Sequence, residues 1–288
     1  MRLAYNSVAF HHSALDDVIP LLQLLGYDAI ELNAETLPWA SPHVTPTMGR
    51  EERHQLKQLL RRSSLSVSSI SAHINLIPPD ALARRNAVAF VKGCIDLASD
   101  IETAVVHGLS GSPAEGLPRA LAWEWLMTAL HACLEHATAR GVTFALEPVV
   151  NMLVCDSHTM RRLQEDMADS RLKVNFDPSH LQVHGDDPAR AVRDLGPTIV
   201  HVHIKDAAGT PEKYEFPPLG MGRVDFESVL RGLGEVGYDG FVSIEYEANA
   251  FGYPGEPHEI ARESRRFIEE IARRALGGTH WRSRHEQR

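Results

Sequence analysis

The chain has 288 residues, 43% of them hydrophobic and 23% charged, with a net charge of −9. That usage is ordinary for a folded globular protein, and the acidic balance argues against nucleic acid as a general partner, whose binding rests on neutralising phosphates. No stretch approaches the roughly 20 apolar residues that span a bilayer, so no membrane association is expected.

The N-terminal run MRLAYNSVAFHHSALDD lacks the apolar segment and cleavage site of a secretory signal. Cys94, Cys133 and Cys155 form no CxxC pair and are odd in number, so a disulfide framework is not expected and the cytoplasm is the expected compartment. Histidine, at 16 residues, is the one unusual feature of the composition.

Taken in chain order, short apolar runs alternate with longer helical patterns. A strand is predicted over 3–10 and a helix over 14–26, stopped by Gly26. A strand over 29–34 precedes a helix over 50–64, and a strand over 66–73 precedes a helix over 80–99. The pairs 103–108 with 116–141, 142–148 with 156–168, and 172–178 with 186–196 follow. The last two pairs are 198–206 with 225–237 and 240–247 with 257–276. Eight strand–helix units predict a single (β/α)8 TIM barrel over residues 1–276. A doubly wound open sheet is the rival, but no glycine-rich phosphate turn follows the first strand. Residues 277–288 are polar and aperiodic and read as a loose tail. Two connections, 35–49 and 207–222, exceed what a barrel needs and fall on its active-site face, where they are expected as lids.

In such a barrel, chemistry sits at the C-terminal strand ends. Strands five to eight end in Glu147, Asp177, His203 and Glu245. One carboxylate at a strand end is ordinarily solvated or caps a helix. Four ligand-type side chains on adjacent strands, if all face inward, would be costly to bury without a cation. The set is rich in oxygen with one nitrogen, which suits Mn²⁺, Mg²⁺ or Co²⁺ rather than a cysteine-rich zinc site. Alternation puts His201, His203 and Lys205 on one face of strand seven, Asn175 with Asp177, and Ser243 with Glu245 and Glu247.

The segments LEPVVN, VNFDPSHLQVHGDDPARAVRDLG, IVHVHIKD and GMGRVDFESVLRGLGEVGYDGFVSIEYE resemble the sugar isomerase/epimerase family of xylose-isomerase-like barrels. That family spans ketose 3-epimerases, inosose isomerases and dehydratases and, more distantly, endonuclease IV. The resemblance covers about residues 3–275 and is strongest from 142 to 247. It implies Glu147, Asp177, His203 and Glu245 as metal ligands and His180 as a substrate contact. The ketose epimerases carry an Arg six residues after the metal His; here that position is Gly209, while Lys205 stands in HIKD and Arg223 follows in GMGR as a candidate substrate contact.

The chemistry expected of such a site is proton abstraction beside a carbonyl through a metal-stabilised enediolate. Glu147 and Glu245 are the expected acid and base and Lys205 the oxyanion stabiliser, unless Lys205 merely pairs with Asp206 or Glu147. Asn6, Glu31, His73 and His107 are candidates for sugar hydroxyls, and Trp39 for stacking. The same base would also serve a lyase acting by β-elimination, as in inosose dehydration or in deglycosylation of 3-oxo-glycosides with a small partner subunit. A homo-oligomer is equally compatible. An endonuclease-type phosphodiesterase and a non-catalytic sugar-binding protein fit less well, the first for want of a basic face, the second because the ligands are intact.

Overall fold

A computed structural model describes residues 1–277 and 281. Eight parallel strands close into a barrel: β1 (Arg2–Asn6), β2 (Ala29–Asn33), β3 (Ser66–Ser71), β4 (Val105–Leu109), β5 (Thr143–Glu147), β6 (Lys173–Phe176), β7 (Ile199–Ile204) and β10 (Phe241–Ile244). Each pairs with its sequence neighbour, and β10 closes on β1, with Leu3 opposite Val242. The outer helices are α1 (Leu15–Leu25), α2 (Arg50–Arg62), α3 (Ala81–Asp100), α4 (Arg119–Arg140), α5 (Ser157–Met167), α7 (Pro188–Leu195), α8 (Phe226–Glu235) and α9 (Pro257–Leu276). The main apolar core lies between strands and helices, where Leu22, Ile30, Ile70, Ile95 and Leu163 are fully buried. Among the described residues no helix is long and apolar enough to cross a membrane.

Local sequence explains most boundaries. Gly26 stops α1 in the left-handed conformation, as its position predicts. Asp156, Asp187 and Asp225 accept the first free N–H groups of α5, α7 and α8. The first strand is shorter than its apolar run suggests: Asn6 accepts the Val8 N–H and turns residues Ser7–Phe10 into a 3-10 helix. The run PSHLQVH, read from sequence as a connection, forms an additional helix α6 (Pro178–His184). Asp177 caps it through Ser179 N–H at 2.8 Å, and Pro178 sits at its first turn. Of the tail expected over 277–288, only Gly277 and Trp281 are described, the latter with its ring buried against the core; the remainder lies outside the described residues.

Both long connections are packed. In 35–49, the N–H groups of His43 and Val44 donate to Asn33 O and Val44 is buried; Arg53 donates to Pro46 O and Met48 O. In 207–222, β8 (Ala208–Thr210) and β9 (Lys213–Glu215) form an antiparallel hairpin. Gly209 holds φ 103 there, and a Cβ on it would lie 2.1 Å from Lys213 O. The hairpin therefore excludes a side chain at the position where the resemblance leads one to look for Arg. Gly209→Ala is expected to destabilise the protein by about 1–3 kcal/mol, read by denaturant unfolding, with no change in the unfolding slope.

Candidate active site

The barrel strands deliver their C-terminal ends to a polar cluster built in layers. At its base, Ser69 and the His201 ring lie 3.1 Å apart. Above them Glu31, fully buried, gathers five partners. Asn6 and Ser71 donate to Oε1 at 3.0 and 2.7 Å; His107 Nε2 and His203 Nε2 face the same oxygen at 2.8 and 3.0 Å; His201 Nε2 faces Oε2 at 2.9 Å. The two irregularities of strand register, at Ile30/Glu31 and Val174/Asn175, adjoin members of this layer. A local extra residue of this kind re-aims the side chains beside it.

The next layer up holds the four expected ligands. His203 Nδ1 lies 3.5 Å from Glu147 Oε1, 3.8 Å from Asp177 Oδ2 and 3.4 Å from Glu245 Oε2. One donor atom from each of the four residues lies within 4.8 Å of the others. His203 Nδ1 is buried with no hydrogen-bond partner, and the buried Asp177 Oδ2 has an ion pair to Lys205 Nζ at 3.0 Å but accepts no hydrogen bond. Donor atoms around one ion at about 2.1 Å stand roughly 3.0–4.2 Å apart, so the observed spacings fit a shared cation. Second contacts aim the carboxylates: Asn175 donates to Glu147 Oε2 at 2.8 Å and Asn6 to Glu245 Oε1 at 3.1 Å. Glu31, on the far ring nitrogen of His203, orients that imidazole as carboxylates behind metal-binding histidines do.

Burial disfavours the His203 imidazolium, yet Glu245, Glu31 and Glu147 outweigh it and hold its pKa well above the ordinary value. Burial also disfavours the Glu147 carboxylate, but His203 and His73 keep it well below the ordinary range.

Around the quartet stands a rim. Lys205 Nζ donates to Glu245 Oε2 at 2.5 Å and Glu247 Oε2 at 3.1 Å, and lies 3.0 Å from Asp177 Oδ2. It pairs with neither Asp206 nor Glu147. Burial opposes the Lys205 ammonium, but Asp177, Glu245 and Glu247 hold it charged. His180 Nε2 lies 3.2 Å from Lys205 Nζ and 3.7 Å from Glu147 Oε1. Burial, reinforced by Lys205, pushes the His180 pKa down to about 4, so its ring is neutral. His73 bridges Glu35 Oε2 at 3.1 Å and Glu147 Oε2 at 3.3 Å. Glu35 and Glu247 are 23% and 21% exposed where the quartet is at most 7%, which marks the side on which the site opens.

The structure brings Glu147, Asp177, His203, Glu245, Lys205, His180 and His73 together. It does not treat every candidate alike. His107 is fully buried beneath the quartet; Nε2 faces Glu31, and Nδ1 faces His73 Nε2 at 3.1 Å and Asn175 Nδ2 at 3.2 Å. No nitrogen of that ring is left for a sugar hydroxyl, and Glu31 and Asn6 are likewise engaged in the layers below. Arg223 is exposed; its N–H donates to Ala207 O at 2.8 Å, and its side chain makes no ion pair among the described residues. Trp39 is half-buried on the first lid, its ring packed edge-on to His11 at 5.3 Å. His43 of the same lid faces Ser13 O at 3.1 Å, a contact that ties the lid down. Glu247 and Phe216 are members of the rim that sequence reasoning did not assign. Glu247 carries a signal, its two-residue spacing from Glu245; Phe216 carries none.

A closed parallel barrel that gathers four ligand-type side chains at its C-terminal strand ends is a TIM barrel with a candidate metal site. The family profile described as "Xylose isomerase-like TIM barrel" matches residues 19–271, and the chain belongs to that family. It is 25% identical to the D-psicose 3-epimerase of Ruminiclostridium cellulolyticum, over 83% of this chain and 80% of that one. It is 24% identical to the inosose dehydratase of Lacticaseibacillus casei over 51% of this chain and 54% of that one. Among solved structures, a D-tagatose 3-epimerase-like protein superposes with a TM-score of 0.80 at 22% identity, covering 96% of this chain and 99% of that one. These relatives are thus epimerases and a dehydratase.

Proposed function

We propose that the protein is a divalent-metal-dependent isomerase or epimerase of a keto-sugar or keto-cyclitol, removing and returning a proton beside the carbonyl. The observation that carries this reading is the convergence of Glu147, Asp177 and Glu245 on the unpartnered His203 Nδ1. The donor set fits Mn²⁺ first, with Mg²⁺ or Co²⁺ of the same oxygen-preferring class. When bound, the ion would polarise the substrate carbonyl and offset the negative charge that develops on its oxygen.

The chain supplies the proton transfers. Glu147 and Glu245 stand at the two ends of an arc of four consecutive strands, β5, β6, β7 and β10. A substrate seated between them presents one face to each, which is what inversion at carbon requires: one carboxylate takes the proton and the other side returns one. Lys205, charged and in contact with Glu245, places a positive group beside the developing oxyanion. His180, neutral and adjacent to Lys205, is suited to orient a substrate hydroxyl, and His73 holds the Glu147 carboxylate from the opposite side.

A β-eliminating lyase is the second reading, favoured by the dehydratase among the relatives. The test is solvent exchange. Protein loaded with Mn²⁺ is incubated in D2O with ketohexoses, inososes and 3-oxo-glucosides, and the C–H signals are followed by proton NMR. One signal is expected to disappear with one substrate class, and chelation is expected to stop the exchange and lower Tm by removing a ligand of the native state. An inverted product identifies an epimerase and an unsaturated one a lyase. Retention of every C–H signal across the panel, with metal bound, would overturn the proton-transfer reading.

A further inference from the structure

The last residue of the HIKD run takes no part in the chemistry above. Asp206 follows Lys205, and alternation sends its side chain away from the quartet. It is 2% exposed and has no cationic side chain within ion-pair distance among the described residues. Instead its carboxylate accepts four backbone N–H groups: Ala207 at 2.9 Å and Val224 at 3.1 Å on Oδ1, Gly220 and Gly222 at 2.9 Å each on Oδ2. These donors come from both ends of the second lid, so one carboxylate holds its entry and its exit. Gly222 approaches so closely that a Cβ on it would lie 2.2 Å from Asp206 Oδ1. Between the anchored ends, the lid carries Phe216, which is buried. Its ring packs perpendicular to His180 at 5.0 Å and lies 4.6 Å from Lys205 Nζ.

We infer that Asp206 is the latch of the lid spanning residues 207–222 and, through Phe216, the positioning residue for Lys205 and His180. The inference rests on the proposed function only in assigning those two residues to the reacting centre. A carboxylate is the group this position needs: with four N–H donors converging, an amide would turn its own N–H₂ toward two of them. A carboxylate that merely stabilised the loop would leave Lys205 where it is when removed; a latch would release it.

Protection of the Lys205 amine separates these without any turnover. An amine-acetylating reagent is applied to the folded protein, and Lys205 acetylation is followed by peptide mass spectrometry, with exposed lysines as internal reference. Asp206→Asn and Gly222→Ala, which break the clamp from its two sides, are each expected to speed Lys205 acetylation at least tenfold, as is Phe216→Ala. The double variant Asp206→Asn/Phe216→Ala should be no faster than Phe216→Ala alone, because both act through one ring. Wild-type rates at Lys205 in either folded clamp variant, or multiplicative effects in the double variant, would overturn the inference. Hydrogen exchange on the unaltered protein is a second, fold-independent check: the amides of Gly220, Gly222 and Val224 should exchange as slowly as barrel amides, and exchange at loop rates would mean no latch exists. Failure of the sugar exchange assay would remove the proton-transfer reading and leave this result standing.

Discussion

Glu147→Gln is expected to lower α-proton exchange by about 10²- to 10⁴-fold, the usual contribution of a positioned acid or base, while the barrel remains folded. The amide keeps the shape of the side chain, and Asn175 can still donate to its carbonyl oxygen; the lost property is basicity. Metal content has to be measured alongside, since Glu147 also faces His203. Glu245→Gln provides the informative comparison. If the two carboxylates serve opposite faces of the substrate, each variant should lose exchange from one epimer and retain it from the other, so that washout and inversion become uncoupled. Equal loss from both epimers with full metal occupancy would reduce the pair to a single base. Less than tenfold loss in either metal-loaded variant would remove both from the acid–base role.

Glu31→Ala is expected to have the largest effect on stability. One fully buried carboxylate accepts from Asn6 and Ser71 and faces three imidazoles, on His107, His201 and His203. Burial disfavours that charge, yet His203, His201 and His107 hold the Glu31 pKa well below the ordinary carboxylate range. Removing it strands buried donors and any charge the histidines carry, at a cost of about 3–5 kcal/mol. Denaturant unfolding of the metal-free protein reads this directly. A second effect should appear in metal competition: with His203 no longer held from behind, affinity is expected to fall about 10- to 100-fold. A stability loss under about 1 kcal/mol would mean that the histidines repack or take up water without it.

Other aspects of the molecule differ in how far they could be read without coordinates. The eight strands and their helices were legible because apolar periodicity, Asp caps and Gly stops are local signals. Asp156 caps its helix and Gly26 ends one as their positions in sequence predict. The four ligand candidates were legible as well, since a closed parallel barrel makes strand ends equivalent and the alternation of side chains selects which of them face inward. That His201 and His203 share a face is two-residue arithmetic.

What could not be read is how contacts distant in the chain divide these polar residues among layers. Glu31 and His107 lie in mid-strand, each the third residue of β2 or β4, and not at a strand end like Glu147; the register of β4 against β5 sets His107 level with Ala145, two residues below Glu147, where it bonds to Glu31 instead of to a substrate. Lys205 could have paired with its neighbour Asp206; it pairs with Asp177, Glu245 and Glu247 because backbone alternation sends the two side chains of that dipeptide in opposite directions. Phe216 carried no periodic signal, since its burial depends on a hairpin whose ends are drawn together by one carboxylate. Periodicity and capping act within a few residues and so are written in the chain order; the choice of which polar atoms meet, over separations such as the 172 residues between Glu31 and His203, follows from barrel closure and strand register, which no local pattern encodes.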